Sequence, residues 1–266
     1  MLADAVRLAV YERGAGTSVV LLHAWGETHR SFDRFLELLP AGLHVVVPDQ
    51  RGAGDSDKPT TGYRLEDAAA DVAGMLDALD IPAAWMVGSS SGGYVAQQLA
   101  LALPSRVLGL VLVGAPRSLA GRDPFGEILA AFHDPVTPED IEALNEGLEL
   151  PPAIPRDFLD VQDAAALTIP RHVWIAGYRG LIEAVPPTQT GTIRVPTLLL
   201  SGADDELLGS AEAAELAASI PGSRHRVYPK TGHFVLWERP DWVVRDVVRF
   251  VTAPEAASVG DVAPRS

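Results

Sequence analysis

The chain has 266 residues, 47% hydrophobic and 21% charged, proportions ordinary for a soluble globular protein with a substantial core. A net charge of −14 argues against a nucleic-acid or anionic-membrane partner, since both require a basic face. The absence of cysteine excludes disulfides, thiolate metal sites and cysteine nucleophiles.

Residues 6–11 alternate apolar with polar and lead into Glu12-Arg13-Gly14, which predicts a strand and a turn. Residues 17–23 are a nearly continuous apolar run, the mark of a strand buried on both faces of a parallel sheet. A loop, Ala24-Trp25-Gly26-Glu27, precedes a helix over 31–39 with Phe32, Phe35, Leu36 and Leu39 at helical spacing. Residues 43–47 predict another buried strand, followed by a long glycine-rich loop from Pro48 to Pro59. An amphipathic helix over 65–79, a strand over 84–87, a helix stopped by Pro104 and a strand over 107–113 complete a regular alternation. Such alternation implies a parallel sheet with helices on both faces.

From 117 to 192 no buried strand is evident. Helical stretches near 124–132, 138–148, 156–167 and 171–184 replace the alternation, and Thr137-Pro138-Glu139-Asp140 has the composition of a helix start. A strand over 195–201, a helix over 210–220, a strand over 224–228 and a helix over 240–251 resume the pattern. This predicts a core formed by 1–116 and 193–252, a helical cap at 117–192 and a flexible tail at 253–266. Neither a basic-then-apolar leader nor an apolar run of about 18 residues is present, so a cytoplasmic location is expected.

The strand over 84–87 passes through Gly88-Ser89-Ser90-Ser91-Gly92 into a helix, the context of a nucleophile elbow with Ser90 at its apex. So sharp a turn demands small neighbours, and Gly88 and Gly92 supply them. The bare pattern arises by chance in roughly one chain in ten of this length, so partners are needed. A serine hydroxyl requires a base to take its proton and a third group to orient that base. In open parallel sheets such groups gather beyond the carboxyl ends of strands. There the sequence offers Asp204 or Asp205 after the 195–201 strand, and Thr231-Gly232-His233 after the 224–228 strand. The seven histidines show no metal-ligand spacing, and no metal or cofactor is predicted.

Together, Leu21-Leu22-His23-Ala24-Trp25-Gly26, Asp49-Gln50-Arg51-Gly52-Ala53-Gly54-Asp55-Ser56, the Ser90 elbow and Thr231-Gly232-His233 resemble the α/β-hydrolase superfamily over residues 5–252. The branch they resemble includes bacterial serine esterases, enol-lactonases and cofactor-free haloperoxidases. The resemblance implies a mostly parallel central sheet with helices on both faces and a helical cap inserted after the sixth strand. It implies Ser90 as nucleophile, His233 as base and Asp205 as acid, with Asp204 the alternative, and oxyanion donors at the backbone N–H groups of Trp25 and Ser91. Ala24 departs from the usual His-Gly, which predicts a shifted oxyanion loop. His23 is expected to fix that loop, and the Arg51–Ser56 loop to be a structural turn.

The expected activity is hydrolysis of an ester or lactone of a small, apolar molecule. C–C bond hydrolysis, perhydrolysis, acyl transfer and slow-turnover ligand binding remain open on the same scaffold. Trp25, Phe125, Phe132, Trp174 and Phe234 are candidate pocket residues, the cap aromatics among them equally suited to the cap's own core. A small molecule is the only partner implied; the sequence leaves oligomeric state open.

Overall fold

The structure, a computed structural model, describes residues 6–253. Seven strands form one sheet: β1 (Val10–Arg13), β2 (Thr17–Leu22), β3 (Leu43–Pro48), β4 (Ala84–Ser89), β5 (Val107–Val113), β6 (Thr197–Gly202) and β7 (Arg224–Tyr228). Their spatial order is β1-β3-β2-β4-β5-β6-β7, and every neighbouring pair is parallel except β1 with β3.

The apolar runs account for this layering. Successive residues of a strand face opposite sides of a sheet. In β2, Val20 and Leu22 enter one core with α2 (Leu65–Ala78), α3 (Ser91–Ala102) and Leu216 of α9 (Ser210–Ser219). Val19 and Leu21 enter the other with Phe35 of α1 (Asp33–Leu38) and with Val243 and Val247 of α11 (Pro240–Val251). All four β2 residues are at most 1% exposed, which is why the segment lacks polar alternation.

Between β5 and β6 lie α4 (Gly126–Ala131), α5 (Pro138–Gly147), α6 (Arg156–Ala166), α7 (Arg171–Ile182) and α8 (Pro187–Thr190). They build a third apolar cluster around Phe125, Leu129, Ile141, Trp174 and Tyr178. Thr137 and Asp140 start α5 as the sequence suggests, with Thr137 N–H donating to Asp140 Oδ2 at 2.8 Å. The insertion follows the fifth strand among the described residues rather than the sixth, since one strand, β1, precedes Thr17 among them.

Other boundaries also differ from expectation. Residues 6–9 are not strand: Arg7 N–H donates to Asp57 Oδ2 at 2.9 Å and Ala9 N–H to Ser56 Oγ at 2.8 Å, so loop side chains satisfy that backbone. The helix expected over 31–39 is a 3₁₀ turn, His29–Phe32, running into α1; Thr28 caps it through Arg30 N–H. A short helix, α10 (Val235–Glu238), follows the His233 loop. Beyond Ala253 the expected tail lies outside the described residues. Among the described residues no helix is long and apolar enough to cross a membrane.

Candidate active site

Ser90 stands between β4 and α3 with φ 47° and ψ −119°, a conformation that costs a side-chain-bearing residue on the order of 1–3 kcal/mol. The turn is held by Ser90 N–H to Val113 O at 2.8 Å and Gly93 N–H to Ser90 O at 2.9 Å. A Cβ on Gly88 would lie 2.4 Å from Gly93 N, and one on Gly92 would lie 2.2 Å from Leu22 O. Both glycines are therefore fixed by approaching backbone, as the sharp turn requires.

Two loops from the carboxyl edge of the sheet bring the remaining groups to Ser90. His233, beyond β7, places Nε2 3.0 Å from Ser90 Oγ and Nδ1 3.0 Å from Asp205 Oδ2. The carboxylate can only accept, which assigns the ring proton to Nδ1 and leaves Nε2 to accept from the serine hydroxyl. Asp205 follows β6, and its other oxygen accepts Leu208 N–H at 2.9 Å. Burial pushes the Asp205 acid up, but the His233 hydrogen bond and charge, with the Leu208 and Leu207 N–H groups, leave it lowered on balance. Asp204 is exposed and engages Thr231 O through its own N–H, so of the two aspartates it is Asp205 that reaches His233. The Glu238 carboxylate accepts Gly232 N–H at 2.9 Å and braces the His233 loop.

Ser91 begins α3, so its N–H lacks an intrahelical carbonyl and points from the positive end of the helix dipole. The Trp25 N–H is already engaged: it donates to Ser91 Oγ at 2.6 Å. Ala24 keeps a negative φ, and the left-handed residue of this loop is Gly26 at φ 79°. An alanine therefore fits where the resemblance would place glycine. His23 accepts Gln50 N–H at Nε2 (2.9 Å) and contacts Ala24 O through Nδ1 (2.8 Å); complete burial lowers its pKa and holds it neutral. It is a strut between two loops.

The glycine-rich loop is likewise internally committed. Asp49, fully buried, accepts from His29 N–H at 2.8 Å, His29 Nδ1 at 2.9 Å and Asp55 N–H at 3.0 Å. Burial opposes its ionisation, yet these donors lower its pKa to about 2. Arg51 grips Asp71 through two nitrogens, at 2.5 and 2.6 Å.

Above Ser90 and His233 lies a cavity of about 150 Å³. Trp25, Phe125, Trp174 and Phe234 line it, as do Tyr178 and Trp237, which sequence reasoning missed. Phe132 does not line it: only 4% exposed, its ring meets the Trp174 ring edge-on at 5.6 Å within the inserted helices' own core. Tyr178 was available as a signal, one helical turn from Trp174 on the same face of α7. Glu27, Asn145, Gln162 and Asp163 add polar groups to the walls. Burial pushes the Glu27 acid up to about 7 against the Ala24 N–H, Ser31 and His233, which favour its charged form. Among the described residues no group of three or more acidic or histidine side chains is placed to hold a metal ion.

This assembly gives a strained hydroxyl an imidazole acceptor, itself oriented by a buried carboxylate, beneath an apolar chamber. The family model described as the alpha/beta hydrolase fold matches residues 17–137 and 161–240. The chain belongs to the α/β-hydrolase family. This α/β-hydrolase is 31% identical to a 2-hydroxy-6-oxononadienedioate/2-hydroxy-6-oxononatrienedioate hydrolase of Cupriavidus pinatubonensis, covering 92% of this chain and 90% of that one. It is 30% identical to a non-heme chloroperoxidase of Streptomyces lividans, covering 89% and 92%. Among solved structures it superposes on an N-acyl homoserine lactone degrading enzyme with a TM-score of 0.78 and 30% identity, covering 94% and 98%. One scaffold thus carries several chemistries among the relatives, and function has to be argued from the site.

Proposed function

We propose that the protein is a serine hydrolase cleaving a neutral carboxylic ester or lactone through an acyl-enzyme on Ser90. The observation that carries this reading is His233, hydrogen-bonded at 3.0 Å to Ser90 Oγ through one ring nitrogen and at 3.0 Å to Asp205 through the other. Ser90 Oγ attacks the carbonyl carbon as its proton passes to His233 Nε2, and Asp205 stabilises the imidazolium. The oxyanion is held by Ser91 N–H and by Trp25 N–H, which exchanges the Ser91 hydroxyl for the substrate oxygen. His233 then protonates the departing alkoxide; in a lactone that oxygen remains tethered to the acyl group. Water, deprotonated by His233, attacks the acyl-enzyme, and Ser90 leaves with its proton restored.

Charge argues for a neutral substrate. The dioate substrates named for the Cupriavidus relative carry two carboxylates, and a carboxylate in an apolar chamber needs a cation. Arg122 is the arginine lining this cavity, and its guanidinium is committed to Glu212 Oε2 at 2.7 Å and Leu208 O at 3.3 Å. Asp163 adds a further acid to the walls. The inserted helices act in this reading as the cap, with Ile141, Leu144 and Leu148 from the α5 side and Trp174 and Leu181 of α7 receiving the apolar portion.

The test combines labelling with kinetics. A fluorophosphonate should modify Ser90 stoichiometrically, and Ser90→Ala should lower kcat on aryl esters by about 10⁴- to 10⁶-fold. Wild-type turnover by Ser90→Ala would overturn the assignment.

A further inference from the structure

The cavity's polar side chains are nearly all spent within the protein. Arg122 is committed as described; Asn145 Nδ2 donates to Asp163 Oδ1 at 2.8 Å, and Arg156 reaches the other Asp163 oxygen at 3.3 Å. The Tyr178 hydroxyl accepts Phe125 N–H at 3.2 Å, and Ser91 Oγ accepts from Trp25.

Gln162 differs. It lines the cavity from α6, is only 8% exposed, and its Nε2 donates to Arg30 O at 3.3 Å while Oε1 has no partner. The Arg30 bond fixes the amide's orientation, because only the NH₂ end can donate to a carbonyl. A buried acceptor left unpaired costs about 1–3 kcal/mol, which a ligand N–H reaching it would recover. Glu27 lines the same cavity, three residues before the Arg30 that anchors Gln162. Its Oε2 accepts Ala24 N–H at 3.1 Å. With its acid pushed up to about 7, a large share of molecules carry a carboxyl proton at neutral pH.

We propose that Gln162 and Glu27 form a recognition site for a secondary amide on the substrate, Gln162 Oε1 accepting the amide N–H and the Glu27 carboxyl donating to the amide carbonyl. The substrate class is then an ester or lactone bearing an N-acylamino group, with its hydrocarbon chain against the aromatic and aliphatic walls. An amide suits the site because it is neutral yet offers one donor and one acceptor. A carboxylate would find no uncommitted guanidinium, and an ammonium would require Glu27 ionised against the burial that opposes it. This inference rests on the serine-hydrolase reading and adds to it the group by which substrate is chosen.

The experiment compares α-(octanoylamino)-γ-butyrolactone with an α-alkyl-γ-butyrolactone of equal length, in which two methylenes replace the amide. Sites that hydrogen-bond a substrate group reject analogues lacking it. Wild-type kcat/KM should favour the amide by at least about tenfold, and Gln162→Leu should bring that ratio to within about twofold of one. Calorimetry with Ser90→Ala should show the same preference in Kd without turnover, which tests the amide site independently of rate. Equal kcat/KM for the two lactones in the wild type, or equal Kd in Ser90→Ala, would overturn the amide site while leaving the hydrolase reading standing. Absent turnover of aryl esters together with unlabelled Ser90 would instead overturn the hydrolase reading, leaving the calorimetric comparison to decide the amide site.

Discussion

Ser91 holds two opposed places in the proposed mechanism. Its N–H faces the developing oxyanion, while its hydroxyl occupies the other proposed donor, Trp25 N–H, at 2.6 Å. Releasing a hydrogen bond of this kind costs a net of about 0.5–1.5 kcal/mol, or roughly 2- to 12-fold in rate. Ser91→Ala should therefore raise kcat/KM on a short aryl ester by about 2- to 10-fold. A fall of similar size would make the hydroxyl itself an oxyanion donor. The motif gave Ser90 away through its flanking glycines, but no spacing rule announces a hydroxyl that bonds a backbone amide 66 positions earlier. Glu27 and Gln162 were invisible for a related reason. A polar residue in a loop or on a helix reads as solvated, and only the folded chain shows it walled in.

At the scale of elements, the inserted helices are seated by close backbone contact. A Cβ on Gly180 of α7 would lie 1.7 Å from Tyr63 O, so this helix rests backbone to backbone on the segment before α2. Gly180→Ala should lift α7, and with it Trp174 and Tyr178, away from the core. Overpacking typically costs about 1–3 kcal/mol, so Tm should fall by roughly 2–12 °C. KM for long-chain esters should rise several-fold while an acetyl ester, needing little of the cavity, changes least; an unchanged KM for long chains would separate α7 from substrate binding. The sequence made β5, β7 and α11 legible to the residue: β5 carries a full apolar run and α11 an apolar stripe, while the polar β7 is marked off by Pro221-Gly222-Ser223 before it and Pro229 after it. The four-residue helices α8 and α10 span barely one turn, too short for any period to emerge. Phe132 and Phe125 look alike in sequence; which one borders the cavity depends on how α4 is rotated against Trp174.

For the whole molecule, the burial of Glu27 in the chamber wall should lower stability as pH rises from about 4.5 to about 7. Glu27 rises from 4.5 in the unfolded chain to about 7 in the fold, equivalent to at most about 3 kcal/mol; residual solvent contact reduces this. Because the folded state holds this proton more tightly, the contribution is fully present below pH 4.5 and lost as pH rises to about 7. His23 acts oppositely: burial lowers its pKa, so its contribution is present above 6.5 and declines as pH falls. The wild-type profile superimposes both trends upon the self-repulsion of a net −14 chain, and a difference between proteins isolates one. Glu27→Gln keeps an acceptor for Ala24 N–H and removes the ionisation, while His23, His233 and the remaining acids stay as they are. Its Tm should exceed that of the wild type at pH 8, by up to about 10 °C, and the gap should close as pH approaches 4.5. A gap of equal size at pH 5 and pH 8, followed by differential scanning calorimetry, would mean that Glu27 ionises in the fold as freely as in water.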